Sequence, residues 1–331
     1  MQIISSVTFM FCLLVFYAGA TSTTYADDWF PSKWGADDTL GAVNEITADS
    51  VIAASKLVKT GKRYALGQEI TRETPAFGSR TIETFLVHNG ALFGNAGEGV
   101  GTAKATGNDD WALLFFGVGT QIDGLAHVGI NHHYYNGNYI GDFFHQAGTK
   151  KFSTSDIPPI VSRGIVLDVV SFMKETEPEK ILTRNGYEML KPGVAVNKKE
   201  IIGTLSRQGI ALKHADVVIL HTGYAAMAGI DAKQYMATQP GLGVEGARFI
   251  AEHNPVAIGG DTFGLEVAPE ETKGLVMAVH MELLPKRGIY VLENIVTSEL
   301  VADEAWEFMF VLGQARIKGT VQMIINPVAI R

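Results

Sequence analysis

The chain alternates short apolar runs with longer stretches in which apolar residues recur at helical spacing. RYALGQEI, RTIETFLV, WALLFF, GIVLDVV (164–170), DVVILH (216–221) and VAIGGD (256–261) read as strands, and further strands are expected near 288–293 and 306–312. Thr47, then ADSVIAASKLVKT, then Gly61, reads as a capped helix. Asn197 opens a second helix, KKEIIGTLSRQ, which Gly209 closes, and GVEGARFIAEH reads as a third. Strands and helices alternate without a central linker, which predicts one α/β domain over residues 27–331. Residues 90–110 read as a Gly-rich polar loop. WALLFF reads as a buried strand that runs on through GVGTQID, so that positions 117, 119, 121 and 123 share one face.

Two of those four positions are glycine, and the other two are Gln121 and Asp123. An amide oxygen and a carboxylate pointing the same way, beside space left by absent side chains, are competent ligands for a hard or borderline cation. His127 follows past the turn at Gly124, close enough to act on water held there. The competing reading is a polar strand end followed by a turn. A second cluster lies far downstream. His280 ends an apolar stretch, and Glu293 sits inside IYVLENIV, where an acid is costly to bury unless it is paired or bound to metal. An edge-strand glutamate facing water is the alternative. Asp261 in AIGGDTFGLEV is either a site residue or a turn residue satisfying backbone amides. His221 ends the run ILH, and His88 and His133 flank the first cluster in sequence. Trp111, Phe115, Phe116, Tyr134 and Tyr135 surround the motif, either as core or as walls for a ring-shaped ligand.

Composition narrows the classes. The 331 residues are 47% hydrophobic and carry a net charge of −8, with no Lys/Arg-rich block, so nucleic acid is not an expected partner. Residues 1–26 lack any charged side chain, and IISSVTFMFCLLVFYAGA ends in small residues. That pattern predicts a secretory signal cleaved near Ala20 or Ala26, with an uncleaved N-terminal anchor as the alternative, and hence an exported protein without stable membrane contact after cleavage. Cys12, the single cysteine, lies in this segment, so the mature chain would have neither a thiol nucleophile nor a thiolate metal site. GLGVEG (241–246) spells a dinucleotide fingerprint but follows Gln239-Pro240 rather than a strand, and reads as a helix start. No G-x-S-x-G elbow or Walker A loop is present.

WGADDTLGAVNEIT, then GTQIDGLAHVG with YYNG, then ILHTGY, GGDTFGLEV and the block from His280 to Asn294 stand in a defined order. In that order they resemble the metal-dependent cyclase family, which includes bacterial kynurenine formamidase and isatin hydrolase, and the first block resembles the entry segment of its longer members. The resemblance spans nearly the whole mature chain. It implies an α/β fold of the swivelling β/β/α type, a mixed, barrel-like sheet with packed helices, in a protein that forms homo-oligomers. It also implies hydrolysis of a C–N bond in a small amide or cyclic amide by a metal-activated water. Carried over by position, Asp123 is a metal ligand, His127 the acid/base, and His280 and Glu293 complete the site. The formamidase motif H-x-G-T-H-x-D-x-x-x-H has Gly117 in place of its first histidine and Gln121 in place of its second. The remaining donors, Gln121, Asp123, Glu293 and His280, are richer in oxygen than a zinc site built of imidazoles. They imply one divalent cation per chain, Mn²⁺ or Zn²⁺, leaning toward Mn²⁺. His88 or His133 is a candidate replacement ligand. His88, His133, Tyr135, His221 and Asp261 are candidates for contact with a small-molecule substrate. Two other functions fit the same residues: a lactone hydrolase, and a non-catalytic small-molecule binding protein that has lost two imidazoles.

Overall fold

A computed structural model describes residues 29–88 and 101–331. The predicted signal segment and most of the Gly-rich loop therefore lie outside the described residues. Among the described residues no helix is long and apolar enough to cross a membrane.

The principal strands are β1 (Arg63–Ala65), β2 (Ile82–His88), β3 (Asn108–Leu114), β4 (Gln121–Asp123), β5 (Ile160–Asp168), β6 (Val217–His221), β7 (Ala257–Gly260), β8 (Tyr290–Glu293), β9 (Glu307–Leu312), β10 (Gln322–Ile324) and β11 (Val328–Ile330). Nine of them form one curled, half-barrel sheet in the order β1-β11-β9-β5-β6-β7-β8-β4-β10. Strands β5 to β8 are parallel, and every pairing outside that block is antiparallel, so the sheet is mixed as expected. The parallel block carries the continuous apolar runs of the sequence. Val217, Val218, Ile219, Ile258, Val291 and Leu292 have no exposed surface, the pattern of strands covered on both faces.

The principal helices are α1 (Ala48–Ser55), α2 (Val169–Thr176), α3 (Lys198–Gln208), α4 (Val244–Ala251) and α5 (Ala278–Arg287). The predicted caps hold. The Thr47 hydroxyl accepts from the Ser50 amide at the start of α1, Asn197 forms a reciprocal capping box with Glu200, and Gly209 closes α3 at φ +66°. Helix α1 ends at Ser55, well short of Gly61. GLGVEG is a helix start: Gly243 is the N-cap of α4, and Glu271 and Asn197 accept from the Val244 and Gly246 amides.

Two expectations around WALLFF are overturned. The strand does not run through to Asp123. It stops at Leu114, and the chain turns before β4 begins. Gly119 makes that turn at φ +70°, and a Cβ there would stand 2.7 Å from the Ile70 side chain. Nor is the run buried. β3 pairs only with β2, in a hairpin apart from the main sheet, and Trp111 and Leu113 are 53% and 69% exposed. Phe85, Val87, Trp111 and Leu113 fall on one face of this ribbon, with the Phe85 and Trp111 rings stacked 4.3 Å apart.

Candidate metal centre

Strand β4 is three residues long, fully buried, and held between β8 and β10. Its register sets the site. Gln121 stands opposite Glu293 of β8, and Asp123 stands opposite Gln322 of β10. Directly opposed residues on one face lie side by side. Gln121 Nε2 accordingly donates to Glu293 Oε2 at 2.5 Å and lies 3.4 Å from Asp123 Oδ1, while Gln322 Nε2 donates to Asp123 Oδ1 at 2.7 Å. The expectation that 121 and 123 share a face thus holds within a much shorter strand.

The first turn of α5 brings in His280. Its Nε2 lies 3.3 Å from Glu293 Oε1 and 3.5 Å from Asp123 Oδ2. Its Nδ1 lies 2.5 Å from Glu266 Oε1, and Glu266 Oε2 accepts from the Val279 amide at 3.1 Å. Asp123, His280 and Glu293 each offer a ligand atom, and those atoms lie within 4.8 Å of one another. His127 stands beside them. Its amide donates to Gly124 O at 3.0 Å across the turn, and its Nε2 is 4.0 Å from Asp123 Oδ2.

A test of whether the cluster suits a cation comes from its unpaired atoms. Gln121 Oε1 and Asp123 Oδ2 are buried without a hydrogen-bond partner. An orphaned buried oxygen costs about 1–3 kcal/mol, and both belong to the group that holds His280 Nε2 and Glu293. Three oxygen-bearing residues and one imidazole, two of them with unsatisfied lone pairs, fit a divalent cation.

The charges agree. Burial and the neighbouring Asp123 carboxylate push Glu293 up to about 7. Burial opposes the charged form of His280, but the nearby carboxylates of Asp123, Glu266 and Glu293 outweigh this and hold its pKa well above the usual histidine value. Burial likewise opposes ionisation of Asp123, yet His127 and His280 keep its pKa below the ordinary value. His127 goes the other way: burial lowers its pKa despite Asp123, so the ring is neutral near neutral pH.

The cluster opens into a cleft of about 570 Å³. His127, His280 and Glu293 line it, Phe77, Phe263 and Met277 supply apolar wall, and Arg80 is the one Lys or Arg among the described lining residues.

The structure brings Gln121, Asp123, His127, His280 and Glu293 together from both halves of the chain. It does not bring the five substrate-contact candidates to this cleft. His88 ends β2 in the hairpin, 2.5 Å from Asn108 Oδ1, and His133 turns its Nδ1 to Asn131 O at 2.9 Å, so neither stands in for a lost ligand. Tyr135 is buried and donates to Asp38 Oδ2 at 2.7 Å. His221 meets Thr297 Oγ1 at 2.8 Å, and Asp261 accepts from the Thr222 and Gly223 amides, the turn role that was its alternative. Three residues escaped the sequence: Glu266, Gln322 and Arg80. Glu266 lay inside the quoted block GGDTFGLEV, and Gln322, a polar residue within VQMII, carries the same signal as Glu293.

Residues 64–267 match the Cyclase family, and the chain belongs to it. The crystal structure of a novel cyclase superposes with a TM-score of 0.78 at 25% identity, covering 92% of this chain and 99% of that one. An isatin hydrolase bound to the product analogue thioisatinate gives 0.57 at 13% identity, over 86% of this chain and 98% of its own. Isatin hydrolase A from Ralstonia solanacearum gives 0.57 at 15% identity, with the same coverage of 86% and 98%. The latter two likenesses are of fold. No curated protein sequence matches the chain.

Proposed function

We propose that this protein is a divalent-metal-dependent hydrolase of a small amide or cyclic amide, such as a formamide or lactam. One observation carries the reading: the buried Asp123–His280–Glu293 cluster, with unpaired oxygens on Gln121 and Asp123, meets a largely apolar cleft through His280 and Glu293. The fold is shared with proteins named isatin hydrolases, and isatin is a small cyclic amide.

Gln121, Asp123, His280 and Glu293 would hold one cation, Mn²⁺ in preference to Zn²⁺ because most of the donors are oxygen. When bound, that cation supplies Lewis acidity to the scissile carbonyl and lowers the pKa of water. The chain's own residues do the rest. His127, neutral because it is buried, takes the proton of the attacking water at Nε2 and returns it to the leaving nitrogen. Glu266 fixes Nδ1 of His280 and so presents Nε2 to the site. Gln322 fixes Asp123 in the same way through Oδ1.

We further propose that the chain is exported, on the strength of its uncharged N-terminal 26 residues. We also propose that it assembles as a homo-oligomer through the β2–β3 ribbon, where Phe85, Trp111 and Leu113 are exposed between Glu83 and Asp109, since an isolated two-stranded hairpin is marginal in water. The first test is the metal content of the purified mature protein, with Asp123→Ala as control. About one Mn or Zn per chain, lost in the variant, together with metal-dependent hydrolysis of formanilide or isatin, is the expected result. Failure to retain metal would favour the non-catalytic binding protein, and faster turnover of a matched lactone would favour the lactone hydrolase.

A further inference from the structure

Gly117 stands where the related motif carries an imidazole, and it is buried. The space beside it is nevertheless filled. A Cβ on Gly117 would lie 2.6 Å from Arg80 Nη1 and 2.7 Å from Gln322 Oε1. Arg80 Nη1 donates to the Gly117 carbonyl at 3.1 Å. Arg80 and Gln322 therefore fill the volume that a side chain at 117 would claim, and a larger residue there would have to displace them.

The placement gives Arg80 a second property. It lines the cleft with His127, His280 and Glu293, and its charge depresses the pKa of both His127 and Glu293, behind their burial and nearer partners. Yet no acidic side chain pairs with it among the described residues. Its recorded contacts are the Gly117 carbonyl and the Phe77 ring, whose centroid is 6.0 Å from the guanidinium carbon. A half-buried guanidinium with most of its N–H donors uncommitted, at the edge of an apolar-walled cleft, is suited to a planar carboxylate. It is the sole permanent cation among the described lining residues, and Glu266, Glu270 and Glu293 line the same cleft, so a single negative charge held at Arg80 is matched better than a phosphate dianion.

We propose that Arg80 is the specificity-determining residue of this site: it binds a carboxylate carried by the substrate, so the substrate class is an anionic amide whose carboxylate lies near the scissile bond. This rests on the hydrolase reading above for the word substrate, but the anion subsite itself does not depend on turnover.

The test uses the metal-loaded full chain and its Arg80→Gln and Arg80→Lys variants, each checked for metal content and thermal melting. Calorimetry measures binding of 2-aminobenzoate and of aniline, which differ by the carboxylate. Hydrolysis of 2-formamidobenzoate and formanilide is followed in parallel. The expected result is that wild type prefers 2-aminobenzoate, that Arg80→Gln loses about 10- to 100-fold in that preference, and that Arg80→Lys keeps part of it. The ratio of kcat/KM for the two formamides should fall by the same factor. A preference unchanged in Arg80→Gln, or no preference in wild type, overturns the proposal. If neither formamide is hydrolysed while binding of 2-aminobenzoate still depends on Arg80, the hydrolase reading fails and the anion subsite stands.

Discussion

Glu266 holds His280 from behind: its Oε1 lies 2.5 Å from Nδ1, and its Oε2 is tied to the Val279 amide at the start of α5. The carboxylate thus fixes the ring's rotation and tautomer and leaves Nε2 facing Asp123 and Glu293. Glu266→Ala should keep the fold and weaken cation affinity by about 10- to 100-fold. Titration of the metal-free protein with Mn²⁺ measures this, and unchanged affinity would remove Glu266 from the positioning role.

Cation uptake should release protons. Glu293, pushed up to about 7, and His280, held well above the usual histidine value, both carry protons near neutrality when the site lacks metal. Ligation needs the Glu293 carboxylate and the free Nε2 of His280, so protons and cation compete for the same atoms. Affinity should therefore rise with pH through about 7, with about one to two protons released per cation. Calorimetry in buffers of different ionisation enthalpy counts them, and an affinity flat across that range would contradict the assignment.

His127 should separate binding from turnover. His127→Asn should retain metal and lose about 10²- to 10⁴-fold in kcat, the range for a general acid–base. Burial holds the His127 pKa below its ordinary value, so protonation shuts the base off only at acidic pH. The acidic limb of kcat/KM against pH should then lie below about 6.5 and be missing from the variant's residual rate. Full activity in His127→Asn would sink the mechanism.

The ribbon of β2 and β3 gives a prediction about assembly. Leu113 is 69% exposed on the same face as the stacked Phe85–Trp111 pair. Adding a charge there with Leu113→Asp should lower the particle mass in light scattering after size exclusion. A monomeric wild type would refute the assembly.

Much of the fold was legible because local chemistry and burial agree in it. The runs of β5 to β8 are apolar because both faces are covered, and α3 and α4 announce themselves through Asn197, Gly209 and Gly243. WALLFF misled for the opposite reason: apolar composition signals a buried strand, but here it lies on a ribbon outside the main sheet. The turn before β4 was written in Gly117 and Gly119, which the reading of a continuous strand passed over. In the site, Asp123, His127, His280 and Glu293 carry motif or burial signals and Gln322 carries that of a polar residue inside an apolar run, whereas Arg80 acts only through a close approach that no spacing along the chain reveals. His88, His133 and His221 drew attention by residue type alone, and each has a local partner of its own.

The position of β4 between β8 and β10 also bears on how the protein is made. Asp123 is held by Gln322, 199 residues further along, and Gln121 by Glu293, 172 residues further along. A ribosome emitting this chain releases Asp123 long before either neighbour exists, so a polar, unpaired β4 must wait through most of synthesis. Pairings this distant in sequence form late, because loop closure precedes any gain from contact. The cation site is thereby a late product of synthesis: a nascent chain stopped before residue 280 would hold Asp123 and three of the four parallel strands, yet no assembled place for a metal.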